Sequence, residues 1–319
     1  MVLKINQYKY KKMSKKNPRD MVGYGKLLGP VFDRWPNNSK LALQIVLNYE
    51  EGGENCVLHG DKFSETFLSE IIGAQPIKGR HINMESLYEY GSRRGFWRLY
   101  NLFMEREIPF TIFGVATALE KNKDVCDAIK NSFSRKVPIE VACHGLKWID
   151  YQNIPKAVEK KHMKMALKSI QKTIGERPLG WYTGRCSPNT LDLVMEEGGF
   201  LYCSDTYSDD IPYWEKKGKK KQLMIPYTLD NNDMKFLTNQ GFNNGDQFYT
   251  YLKDSFDTLY NESGPPKMMS VGLHCRIIGK PGRIQSLKKF LDYVSKHKDV
   301  WICRRIDIAR HWIKNHPIK

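Results

Sequence analysis

Short apolar runs recur along this chain, and nearly every one is followed by a segment of helical period. The runs cover 41–47, 110–115, 139–143, 179–183, 200–204, 223–227, 268–273 and 300–303. A run of this length bounded by glycine or polar residues reads as a buried strand, although periodicity alone does not exclude a buried helix. Helical spacing is expected over 95–107 (Phe96, Leu99, Tyr100, Phe103), 125–133, 155–174 (Val158, Met165, Ala166, Ile170, Ile174), 189–197, 246–260 (Phe248, Tyr251, Leu252, Phe256, Leu259), 284–297 and 305–314. Residues 55–90 read as a long polar and aromatic connection, and connections of that length are more often functional than idle. Strand and helix in turn imply an α/β protein with a parallel sheet. Seven or eight strands without a second composition regime favour one closed or nearly closed barrel over residues 19–316, behind a basic tail at 1–18.

At 41% hydrophobic and 27% charged residues, the 319-residue chain has the composition of a folded soluble protein. No apolar run is long enough to span a bilayer, and the basic N-terminus lacks an apolar core of signal-peptide length. A cytoplasmic location with no membrane partner is the expectation. The 7 cysteines are scattered and form no CxxC pair, which suits a reducing compartment and gives no structural zinc site. The formal charge of +16 could attract nucleic acid. Its local runs, Lys11–Lys16 and Lys216–Lys221, sit in no nucleic-acid-binding motif, so a solvated lysine surface and no nucleic-acid partner are expected.

The ionisable residues that follow the strands carry the chemistry. Glu50 and Glu51 end the first run, His144 the third, Arg185 the fourth, Asp205 the fifth and His274 the seventh. Each has a plain structural reading alone: a solvated turn, a cap, a surface ion pair, a satisfied core histidine. In a parallel barrel, however, all strand carboxyl ends open on one side, so the five segments converge. A carboxylate can deprotonate a water, a histidine can protonate a leaving nitrogen, and an arginine or second histidine can hold an oxyanion. That set suits hydrolysis of a carbon–nitrogen amide bond.

These segments resemble the polysaccharide deacetylase (NodB homology) superfamily, and within it the metal-independent allantoinase branch. The matching stretches are NYEEGGENCVLHGD at 48–61, YGSRRGFWRLY at 90–100, HGLKWIDY at 144–151, GWYTGRCSPNT at 180–190, YCSDTYSDDIPYW at 202–214, PYTLDNNDMKF at 226–236, GLHCRIIGKPGR at 272–283 and WICRRIDIARHW at 301–312. The resemblance runs from about Pro18 to Trp312 and implies a single distorted (β/α) barrel with about seven parallel strands. Glu50 and Glu51 stand where metal-dependent members carry a base Asp and a metal-binding Asp. His144 matches the first of two ligand histidines, but Trp148 stands at the second. Three protein ligands are usual for catalytic zinc, and Glu51 with His144 would leave two, so no metal is expected, with a divalent ion at that pair the residual option. The resemblance then implies an allantoinase opening the hydantoin ring of a small ureide. Glu50 is the expected base and His274 the acid, with Glu51 and Asp205 orienting, His144 and Arg185 holding substrate or oxyanion, and Trp148 as a wall. Which glutamate faces the pocket depends on the turn. The branch also implies a homo-oligomer, expected as a tetramer. The alternatives are an N-deacetylase of amino-sugar polymers, which would need an open groove and a metal, and a non-catalytic binder using the basic surface.

Overall fold

The computed structural model describes residues 34–134, 137 and 139–318. The expected basic tail and the turn-rich approach as far as residue 33 lie outside the described residues. Among the described residues, nine strands form one curled sheet: β1 Leu41–Tyr49, β2 Phe110–Gly114, β3 Ile139–Cys143, β4 Gly180–Trp181, β5 Tyr202–Cys203, β6 Tyr213–Lys217, β7 Lys220–Met224, β8 Lys267–His274 and β9 Val300–Ile302. Their order is β6-β7-β5-β4-β3-β2-β1-β8, with β9 also pairing β1. The strand pairs are parallel except β6–β7. This is the expected distorted barrel. The free edge of β8 faces loops rather than a strand: Met268 donates its N–H to Asp210 O and Gly272 to Asn231 O, both at 2.9 Å.

Among the described residues, nine α-helices run between and around the strands: α1 Ile82–Tyr90, α2 Phe96–Glu105, α3 Ala116–Glu120, α4 Lys123–Ser132, α5 Lys156–Ile174, α6 Thr190–Glu197, α7 Gly245–Asn261, α8 Ile284–Val294 and α9 Arg305–Asn315. No helix among the described residues is long and apolar enough to cross a membrane.

Strand β1 shows why the chain folds this way. It is buried along its whole length, and strand geometry sends alternate side chains to opposite faces. Leu41, Leu43, Ile45, Leu47 and Tyr49 join the core between sheet and helices, whereas Ala42 and Val46 join the smaller core inside the barrel. Gln44 and Asn48 share that inner face and are bonded across it. Gln44 Oε1 accepts from Arg305 Nη1 at 2.8 Å, and Asn48 Nδ2 donates to Tyr227 Oη at 3.0 Å. Arg305, fully buried at the start of α9, also donates to Ser204, Ser270 and the Ile225 and Pro226 carbonyls. One guanidinium thus ties β1, β5, β8 and the chain after β7 together inside the barrel, and its cost of burial is offset by filling its donors.

Three expectations change. The 55–90 connection contains α1, whose Met84 and Tyr88 are buried, joined to α2 by a π-helical turn at Gly91–Gly95. In α5 the buried side is Met163, Ala166, Leu167, Ile170 and Ile174, while Val158 and Met165 are exposed, as is Tyr251 of α7. The lysine run 216–221 forms the end of the antiparallel β6–β7 hairpin. Lysines on an edge hairpin keep it from pairing with another chain, so their polarity hid a strand.

Candidate active site

Register places the acidic and imidazole groups at one level. Tyr49 pairs with Gly114 and Gly114 with Cys143, so the next residues of β1 and β3, Glu50 and His144, leave the sheet side by side. Asn48 pairs with His274 on the other edge of β1. The three side chains meet: Glu50 Oε1 lies 3.3 Å from His144 Nε2 and 3.5 Å from His274 Nε2. All three residues are buried. Beneath them, Phe113, Tyr182 and Tyr227 form an aromatic floor with ring centroids 4.5 to 5.1 Å apart.

Each imidazole is oriented from behind. His144 Nδ1 faces the Tyr182 carbonyl at 3.0 Å, which only accepts, so Nδ1 carries a proton. His274 Nδ1 faces Asp233 Oδ1 at 2.6 Å, and the second Asp233 oxygen accepts the His274 and Ile278 N–H groups at 2.8 and 3.0 Å. Desolvation disfavours the His274 cation, but Glu50 and Asp233 outweigh it and raise its pKa to about 9. Desolvation also works against the Glu50 carboxylate, yet Arg276, His274 and His144 together hold it well below the ordinary carboxyl range.

Glu51 takes the other side of the chain. Its Oε2 accepts the Glu50 N–H at 3.1 Å and its Oε1 the Arg276 N–H at 3.2 Å. Burial, with Glu50 adding repulsion, raises its pKa despite Arg276. The turn therefore decides between the glutamates: Glu50 meets the imidazoles and Glu51 braces the backbone. Asp205, placed after β5, accepts the Thr183 and Gly184 N–H groups, each at 2.8 Å. Desolvation lifts its carboxyl to about 6 against those bonds.

The site is roofed by aromatic rings and cations. Trp148, buried, stacks on Phe67 at 5.6 Å. Arg185 lies 5.2 Å from the Phe67 ring and 5.4 Å from Trp148. Arg276 lies 4.2 Å from the Tyr88 ring and 5.2 Å from Trp148. Its Nη1 is 2.8 Å from Glu50 Oε2 and 3.5 Å from Glu51 Oε1. Asp233 and Arg276 were missing from the strand-end pattern because neither sits at a strand end. The Asp-rich stretch 230–233 and the two-residue offset from His274 were their signals.

A metal of the deacetylase type does not fit this donor set. A tryptophan holds the second histidine's place, Glu51 turns away from His144's partner Glu50, and a guanidinium lies against both carboxylates. Among the described residues, no group of three or more His, Cys, Asp or Glu side chains could hold a metal ion.

Residues 83–197 match the family model for polysaccharide deacetylase. A Schizosaccharomyces pombe protein named as a polysaccharide deacetylase is 43% identical over 306 residues, covering 89% of this chain and 94% of its own. Two solved structures superpose with a TM-score of 0.89 at 54% identity. A Pseudomonas aeruginosa PAO1 protein described as a polysaccharide deacetylase covers 95% of this chain and 100% of its own, and PuuE allantoinase 96% and 100%. A shared barrel, a shared sequence over nearly its full length and a strand-end site together make this chain a member of the polysaccharide deacetylase family, within its hydrolase fold.

Proposed function

We propose that the protein is an allantoinase that opens the hydantoin ring of allantoin to allantoate without a metal. The observation that carries this reading is the buried cluster of Glu50, His144 and His274, linked through Arg276 to the Trp148 ring that Phe67 stacks on; so closed a setting suits a small flat substrate better than a chain of sugars. The likeness to PuuE allantoinase supports it.

Glu50, held as a carboxylate, takes a proton from water as the water oxygen bonds to the ring amide carbon. The tetrahedral oxyanion forms among the cationic and N–H donors around it. Collapse breaks the carbon–nitrogen bond, and the His274 imidazolium gives its Nε2 proton to the departing nitrogen. The proton on Glu50 then returns to His274 across their 3.5 Å contact, which resets both groups. His144 fixes the carboxylate from the other side. Base and acid assistance are each worth roughly 10²- to 10⁴-fold.

The test is allantoate formation by the purified protein before and after exhaustive chelation. Turnover that survives chelation is expected, as is a loss of about 10²- to 10⁴-fold in kcat/KM for Glu50→Gln. Turnover abolished by chelation and restored by zinc would overturn the metal-free chemistry. No turnover on allantoin, with release of acetate from acetylated amino-sugar oligomers, would transfer the protein to N-deacetylation.

A further inference from the structure

Arg276 is the least explained residue of the site. It is buried, with about 1% of its side chain exposed. Its Nε donates to the Leu68 carbonyl at 3.1 Å. Nη1 makes close ion contacts to Glu50 and Glu51, but its N–H groups are not aligned on an acceptor, and Nη2 has no acceptor among the described residues. A guanidinium carries five N–H donors in a fixed fork. Burying such a group with donors unfilled is costly. Glu50 Oε2 faces that Nη1 at 2.8 Å and has no other donor among the described residues. The guanidinium plane is roofed by Tyr88 and Trp148.

We propose that Arg276 is the resident cation of the catalytic site: it holds Glu50 as the water-activating carboxylate and presents its unfilled Nη donors to the carbonyl oxygen of a planar cyclic ureide as that oxygen becomes an oxyanion. The proposal deepens the allantoinase reading and rests on it for the identity of the substrate. Chemically, the guanidinium supplies the positive charge beside base and carbonyl that a divalent ion supplies in a metal hydrolase. It does so without an exchangeable ligand, because it is covalently part of the turn after β8. The fork also sets the substrate class. A flat ring can bring its carbonyl oxygen into the guanidinium plane beside Trp148, an arrangement that a twisted sugar amide does not match.

Two measurements test this. In the first, Arg276→Ala is assayed for allantoin turnover with and without added guanidinium well below its denaturing range. Loss of one oxyanion donor costs about 10²- to 10³-fold. A loss of that size, in kcat rather than KM and partly restored by guanidinium but not by ammonium, is expected. Arg276→Lys should recover less than added guanidinium does, since a lysine is a point charge without the fork. Turnover within threefold of the parent, or a loss that guanidinium does not relieve in a folded variant, overturns the proposal. The second needs no turnover. Thermal unfolding is compared for Arg276→Met, Glu50→Gln and the double variant. Removing the cation alone leaves a buried carboxylate uncompensated, so the double variant should melt above Arg276→Met. If the unchanged protein turns over no ureide, the allantoinase reading fails by itself, and this cycle still decides whether Arg276 serves Glu50. A strictly additive cycle overturns the pairing.

Discussion

Asp233 directs both of its oxygens at the His274 turn, one to the ring and one to two backbone N–H groups. That fixes where the imidazole points and which nitrogen is free to act. It also fixes when it acts. The folded His274 pKa, about 9, lies above its ordinary 6.5. Stability from this raised group is full below the ordinary value and is lost as pH rises through about 9. Glu50 shifts the opposite way, so its contribution is present above the ordinary carboxyl value and is lost only as pH falls through its lowered folded value. A pH profile of kcat/KM should therefore show a plateau across neutrality and an alkaline fall near 9. In Asp233→Asn, which removes one of the groups raising His274, the alkaline limb should move toward neutral pH while activity below it is partly kept. An unmoved limb would remove His274 as the acid. Glu50, His144 and His274 were legible in the sequence because each ends a readable strand. Asp233 and Arg276 were not, because a loop and a reversed turn deliver them, and no period marks either. The choice between Glu50 and Glu51 also needed the turn, since adjacent residues of an extended chain face opposite ways.

The elements that hold this site were less legible than the strands themselves. The continuous rod of α1, the π turn and α2 was half hidden, since only its second half has a strong apolar stripe. Its role depends on two glycines. A Cβ on Gly91 would strike the Glu51 carboxylate, and one on Gly95 would strike the Cys275 carbonyl. The rod can press on the Glu50–Glu51 turn and on the His274–Arg276 turn only because those positions lack side chains. Gly95→Ala must push the backbone of Cys275, which lies between His274 and Arg276. It should destabilise the fold by about 1–3 kcal/mol, as overpacking does, and lower kcat by more than that stability loss explains. Ser92→Ala on the same turn is the control. Thermal unfolding and kcat measured on both variants check this, and a Gly95→Ala enzyme with parental kcat would separate the rod from catalysis. The hairpin of β6 and β7 shows the converse limit of sequence reading. Its lysines look like surface because they are surface, and only their pairing reveals the strands.

For the whole molecule, the telling feature is where apolar surface is left uncovered. Leu58, Phe63, Phe67, Ile72, Ile77 and Ile82 are all exposed and all fall within residues 58–82. That segment is the excursion that crosses the mouth of the barrel, where Phe67 stacks on Trp148. Exposed apolar residues gathered on one excursion mark an interaction surface more often than chance scatter does. The net charge of +16 repels a second copy at long range, so an association would need apolar contact of the kind this face offers. If the excursion packs against its counterpart in a second copy, the protein is a symmetric oligomer in solution. Light scattering on the eluting protein should then give a multiple of 37.2 kDa. Ile72→Asp and Leu58→Asp, both at exposed positions, should shift the mass toward one chain. The same variants should raise KM more than they lower kcat, because the excursion that they unpin also carries Phe67 and the Leu68 carbonyl that holds Arg276. A monomeric parent with unchanged KM in both variants would instead make the excursion a self-sufficient roof. The barrel would then need no partner to close its site.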